Sequence, residues 1–433
     1  MNRRDFMKST LAASLAGAVP GMSSIQARAE PPILSNRVAI NVMLAGAPDM
    51  RHLIVPPFDP DPNSFGYMYW TSKASSHFIT EPTPANLEAR WNSAYIDTGQ
   101  GFGILNQCAW LYNMYVAGKV AIISNAGGSQ SRNHRLAQLV MNQGNLTTDS
   151  ETLTERSGWG GRLADASGTS VLAMTDAPTH YTYCPVPDTE AHDLSCVIST
   201  PNLREFGLVD SLTGAPNTNV NINTRAATQY YKALAQDSTM NLAPHYRKAV
   251  GHFTSLNTLG GPIKERLSTN GRPDPLSSFS ITNQGLKSQI QSTYDAFLCS
   301  DILRPSAISM QVGGWDTHRS QKTVFENNMQ NLFGANKGFN TLYDALPEHI
   351  KTNVVFIFNG EFGRQIRSNG DRGTDHGNGT YVLVIGDNVR GGVYGDIFPE
   401  EEIAKLNDTT IRTPATRIQT TVDNIYEQVC EWV

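Results

Sequence analysis

The chain has 433 residues, 39% hydrophobic and 17% charged, with 34 Lys and Arg against 39 Asp and Glu. An acidic balance argues against general nucleic-acid binding, which draws on surplus Lys and Arg. Beyond the first segment no stretch approaches the length of a membrane-spanning helix, so no stable membrane span is expected.

That first segment, "NRRDFMKSTLAASLAGAVPGM", sets Arg3 and Arg4 ahead of Phe6 and Lys8. A weakly apolar run from Thr10 to Met22 follows, and then "ARAE". It reads as a twin-arginine export signal cut after Ala29. The export machinery is therefore an expected partner, and the periplasm or the cell exterior the expected location. The apolar run is too short and too broken by Gly and Pro to cross a bilayer. The cut takes Arg3, Arg4, Lys8 and Arg28 from the 34 basic residues and Asp5 from the 39 acidic ones, leaving 30 against 38 and a net charge near −8. Residues 30–433 are expected to form one domain.

Five near-continuous apolar runs follow, "NRVAINVMLAG", "GKVAIISNAGG", "SAISMQVGG", "TNVVFIFNG" and "TYVLVIG". Rich in β-branched residues, they suit strands covered on both faces, as in a parallel sheet. Amphipathic helical patterns lie between and after them, at 103–118, at Thr224–Gln236, at 327–346 and at 418–433. Alternating strands and helices predict an α/β fold with right-handed crossovers. The stretch around 149–275 is rich in Thr, Asn, Pro and Gly and reads as a loop-rich insertion. Of five cysteines, none forms a CxxC, which argues against thiolate zinc sites. Cys184 and Cys196 flank a short loop and can pair in an oxidising compartment, while Cys299 and Cys430 sit in apolar helical patterns.

Ligands of open α/β sheets gather beyond the carboxyl ends of strands. Asp49, the segment from Asn125 to His134, the segment from Gly313 to His318, and Glu361 with Arg364 all follow predicted strands. Asp375 and His376 directly precede the last one, and reach the same edge if their loop folds back. Carboxylates and imidazoles suit a divalent ion such as zinc, manganese, magnesium or calcium. Two such ions can clamp the attacking and leaving oxygens of an ester displacement. Arg364 and Arg132 can neutralise a phosphate or sulfate. His134 or His318, where free of metal, can carry a proton. His52 is a further candidate ligand because it follows Asp49 closely. Trp159 and Trp315 read as packing aromatics, and Thr374 as a loop-holding hydroxyl.

"GGWDTH" with Gln321, "GEFGR", "GTDHG" and "TTVDNIYEQVCEW" together resemble the bacterial family known as domain of unknown function 1501. "SGWGGR", "LAGAPDMRHLIVP" and "RNHRLAQ" extend the resemblance over nearly the whole exported chain. It implies membership of the alkaline phosphatase-like superfamily, a three-layer α/β/α fold with a largely parallel sheet, and a divalent metal site at the strand ends. The ligands it implies are Asp49, Asp316, His318, Glu361, Asp375 and His376. The activity it implies is hydrolysis of phosphate or sulfate esters. Asn133 stands where the family carries Ser, and an amide cannot serve as a covalent nucleophile. Ser129 or Ser131 as nucleophile, direct attack by water, and loss of catalysis all stay open. Loss would leave a non-catalytic periplasmic or surface binding or assembly protein. Cys184-Pro185 lacks the Arg of the sulfatase maturation motif, which weakens the sulfate reading.

Overall fold

The computed structural model describes residues 31–34, 36–144, 156–186, 192–193, 196–206, 258–407 and 416–433. The export segment and the helix expected at Thr224–Gln236 lie outside the described residues, as does much of the insertion. Among the described residues no helix is long and apolar enough to cross a membrane.

Nine strands form one sheet. They are β1 (Val38–Leu44), β2 (Val120–Gly127), β3 (Ser170–Ala173), β4 (Val197–Ser199), β5 (Pro305–Val312), β6 (Val354–Asn359), β7 (Thr380–Ile385), β8 (Gly392–Tyr394) and β9 (Thr420–Thr421). Their spatial order is β8-β2-β7-β6-β1-β5-β3-β4, with β9 also on β2. The five apolar runs supply β1, β2, β5, β6 and β7. At the centre, β1 pairs in parallel with β5 and β6, with Ala39 opposite Ala307 and Val38 opposite Val354. β7 runs antiparallel to both β6 and β2. That direction places the amino end of β7 at the carboxyl edge of its neighbours, so the Asp375–His376 loop needs no fold-back.

Side-chain alternation splits the interior into two cores. Val38, Ile40, Val42 and Leu44 of β1 enter one, Ala39 and Met43 the other. The main helices are α1 (Met50–Leu53), α2 (Phe65–Lys73), α3 (Ala109–Val116), α4 (His134–Gln143), α5 (Trp159–Ser167), α6 (Gln284–Leu298), α7 (Gln321–Phe333), α8 (Gly338–Ala345) and α9 (Val422–Trp432). Leu111, Ile290, Phe325 and Phe339, from α3, α6, α7 and α8, pack in the first core. Trp159 and Leu163 of α5 and Ile425 and Val429 of α9 pack in the second. Helices thus cover both faces of a mostly parallel sheet, the three-layer α/β/α arrangement. Both Trp159 and Trp315 are buried. The single helix expected over 327–346 is two, because the chain turns through Gly334 and left-handed Asn336 (φ 56°) between α7 and α8. Cys184 and Cys196 are disulfide-bonded, with Cα atoms 6.2 Å apart.

Candidate metal centre

Five segments converge at the carboxyl edge. The turn after β1 carries Gly46 in a conformation (φ 118°) that excludes most side chains, and a Cβ there would lie 2.5 Å from the Asp316 amide. This close approach seats the loop after β5 against the one after β1. Gly373 has the same function on the other side, since a Cβ would collide with the His318 carbonyl. After β2 the chain caps α4 with Asn133, whose Oδ1 accepts from Leu136 N at 3.2 Å, and this makes His134 the first helical residue.

Three imidazoles meet beside one carboxylate. His376 Nε2 lies 3.1 Å from His134 Nε2, 3.0 Å from His318 Nε2 and 3.2 Å from Asp316 Oδ1. The ligand atoms of His134, Asp316 and His376 all lie within 4.8 Å of one another. Each ring is held from behind. His134 Nδ1 is 2.6 Å from Glu361 Oε1, His318 Nδ1 is 3.0 Å from Asp375 Oδ1, and His376 Nδ1 is 3.0 Å from the Arg132 carbonyl. A carbonyl only accepts, so His376 carries its proton on Nδ1 and turns a bare lone pair toward the other two rings. Such backing by a carboxylate or carbonyl is the arrangement that orients metal-binding histidines.

Charge makes the same demand. Asp316, Glu361 and Asp375 bring three negative charges and Arg364 one positive, a net of −2 with neutral imidazoles. Two protons on the rings or one divalent ion would balance it. Burial works against ionisation of Asp316, but the Arg364 guanidinium, 2.6 Å away, with His376 and His318, outweighs it and holds that carboxyl below its ordinary range. Burial likewise opposes Asp375, where Asn369 and His318 prevail and lower it. Burial first, then Arg364, pushes His376 below the usual histidine value, which favours its neutral, ligating form. With side chains 46% and 40% exposed, Asp316 and His318 form the solvent side of the cluster.

Apart from Asp375, whose side chain is 49% exposed, the other candidates lie behind this front. Glu361 is fully buried and accepts from Gly46 N, Ala47 N and Gln138 Nε2 besides His134. Asp375 backs His318. Arg364 does not face a ligand: its nitrogens donate to the carbonyls of Ala47, Thr374, Gly46 and Trp315 and to Asp316. Nor does Asp49 join the imidazoles; it is buried in an ion pair with Lys73. Burial opposes both members of that pair, but Lys73 prevails at Asp49 and keeps its carboxyl below the ordinary value. Lys73 carried no sequence signal, being one Lys in an aromatic helix. His52 lies apart, hydrogen-bonded to Glu326 at 2.9 Å. The Ser129 and Ser131 hydroxyls accept from the amides of Ser131 and Asn133 at 3.0 and 3.1 Å. A cavity of about 440 Å³ against Ile123, Val355, Val384 and Ile425 contains none of these residues, so chemistry and not size marks the site.

No curated protein matches the chain. The stretch from β5 to just past Asn407 nevertheless carries Asp316, His318, Glu361, Arg364, Asp375 and His376. Residues 304–413 match the family described as "Protein of unknown function (DUF1501)".

Proposed function

We propose that this chain is an exported, metal-dependent hydrolase of phosphate or related sulfate esters, on an alkaline phosphatase-like fold. The convergence of three imidazole Nε2 atoms on Asp316, each ring braced at Nδ1, carries the reading. His134, Asp316 and His376 would hold the ion. Two imidazoles and a carboxylate suit zinc better than magnesium or calcium, which favour oxygen shells. A divalent ion bound there would polarise the ester oxygen and lower the pKa of water.

With those three residues as ligands, His318 is the imidazole left to move a proton. Asp375 holds its Nδ1 side, and its Nε2 lies 3.1 Å from Asp316 Oδ1 on the solvent side. Export is supported by the signal-like segment and by the Cys184–Cys196 disulfide, a bond that persists in oxidising compartments. The test is metal content by mass spectrometry beside a screen of aryl phosphates, diesters and sulfates with added zinc, manganese, magnesium or calcium. Wild type should carry about one divalent ion per chain, as a mononuclear site requires. His376→Ala should lose both ion and turnover. His318→Gln should keep the ion and lose roughly 10²-fold or more in turnover. Turnover unchanged in His376→Ala would sink the proposal.

A second reading is a binding or assembly protein that keeps the fold without the reaction. Asn133 favours it, because its side chain is spent on capping α4 where the resemblance places a nucleophile. Metal uptake without turnover of any ester would bring this reading forward.

A further inference from the structure

Gln321 opens α7 and is fully buried. Its amide is used on both sides. Nε2 donates to Asp49 Oδ2 at 2.8 Å and to His52 Nδ1 at 3.2 Å. Oε1 accepts from Thr374 Oγ1 at 2.6 Å and from Thr317 Oγ1 at 3.2 Å. Chemistry fixes this orientation: a carboxylate can only accept, so the NH₂ group must face Asp49, and the carbonyl then faces the two hydroxyls. His52 Nδ1 therefore accepts, and its Nε2 donates to Glu326.

The two hydroxyls belong to the two halves of the candidate centre. Thr317 lies between Asp316 and His318, and Thr374 directly precedes Asp375 and His376. A single carbonyl oxygen thus takes a hydrogen bond from each loop. The backbone adds a seam along the same line, with Thr374 N on the Thr317 carbonyl at 3.3 Å and Gln321 N on the Arg372 carbonyl at 3.0 Å. On its other side the amide is fastened to Asp49, which Lys73 holds in an ion pair.

We infer that Gln321 is a positioning residue: it clasps the 313–319 loop to the 371–377 loop and so sets the spacing between Asp316 and His376. The consequence for ion affinity rests on the metal-centre reading, whereas the clasp itself does not. No other side chain of this length donates and accepts at once. Glu loses the donors to Asp49 and His52, and Met loses everything.

The test uses the full exported chain with Gln321→Met, and, should Gln321→Met not fold, with a Thr317→Val/Thr374→Val pair that keeps the Gln321 bonds to Asp49 and His52 and removes besides the clasp only the long Thr374 Oγ1 contact to Asp49 Oδ2 at 3.4 Å. Amide hydrogen exchange is followed over 313–319 and 371–377, with α6, which contributes nothing to the candidate centre, as internal control. Zinc affinity is measured by chelator competition. Both loops should exchange faster together, by about tenfold or more, while α6 keeps its wild-type rate. Zinc affinity should fall roughly 10–100-fold, the usual loss when a residue that orients metal ligands is removed. Wild-type exchange in either loop, or zinc affinity unchanged in a folded variant, would overturn the clasp. If wild type takes up no zinc, the metal reading falls, and the exchange data alone decide the clasp.

Discussion

Arg364 shows how far a residue's charge can mislead about its use. As a cation after β6, beside a candidate ester site, it invites the role of anion clamp. Its neighbours assign it another, since four backbone carbonyls and Asp316 take its N–H groups and its side chain is inaccessible to solvent. Those carbonyls come from the turns after β1 and β5 and from the loop before β7. Arg364 therefore fastens three of the five converging segments. A lysine keeps the charge but offers three donors from a point, without the planar fork. Arg364→Lys should leave several buried carbonyls unpaired and destabilise the chain by roughly 2 kcal/mol or more. Urea unfolding of the chelator-treated protein measures this. A midpoint unchanged from wild type, with weaker substrate binding only, would return Arg364 to the anion-clamp role. Asp49 teaches the same lesson in reverse. The pattern around it marks it as a strand-end acid, but only the fold reveals that Lys73 already neutralises it.

At the scale of elements, composition carries type well and direction poorly. The five apolar runs are legible as strands because both faces of each are buried, which forces near-continuous Val, Ile, Leu and Phe. Nothing in "TYVLVIG" states that β7 runs against its neighbours, yet this reversal delivers His376 to the carboxyl edge. The break between α7 and α8 is legible in hindsight in "GANKG", where two glycines bracket a left-handed Asn. Much of the candidate site was legible too, because Asp316, His318, Asp375 and His376 sit in short Gly-flanked loops. The backing of each imidazole was not, since it depends on groups 57 to 244 residues apart meeting in space. The cap of α4 allows a clean experiment on Asn133. Asn133→Ala should cost about 1 kcal/mol, and Asn133→Ser much less, because Ser also caps. The serine variant therefore adds a hydroxyl where the resemblance places a nucleophile, with the helix kept. Ester hydrolysis above wild type in Asn133→Ser would mark a site that had lost its nucleophile. Activity at or below the wild-type rate would mean that attack does not come from this position.

Across the whole molecule, the first core holds a buried imidazole that should make the fold acid-sensitive apart from the candidate centre. His77 is fully buried, with its ring 4.1 Å from that of His52 in a stacked pair and 4.9 Å from that of Trp70. Neither ring nitrogen has a hydrogen-bond partner among the described residues. Burial above all, then the neighbouring His52, which cannot carry a charge beside it without cost, and the cations Arg90 and Lys73, push its pKa well below the ordinary value. Burial also lowers His52 against the pull of Glu326. The sign of the effect follows from proton counting. Below about pH 6.5 an unfolded histidine binds a proton that the folded His77 refuses, so the unfolded state gains protons and stability falls. Stability from these groups is thus complete above about pH 6.5 and drains away as the pH drops toward their depressed folded values. Loss of a histidine-bound ion would act in the same direction, because protons compete for its ligands. Unfolding midpoints taken with chelator present separate the two causes. Wild type should hold a steady midpoint from pH 8 to 7 and lose it between about pH 6.5 and 5. His77→Phe, which fills the same space against Trp70 and Tyr95 without a titrating ring, should flatten part of that fall and leave the share due to His52. An equally steep fall in His77→Phe would place the acid sensitivity elsewhere, and the carboxylates around the candidate centre would be the next groups to examine.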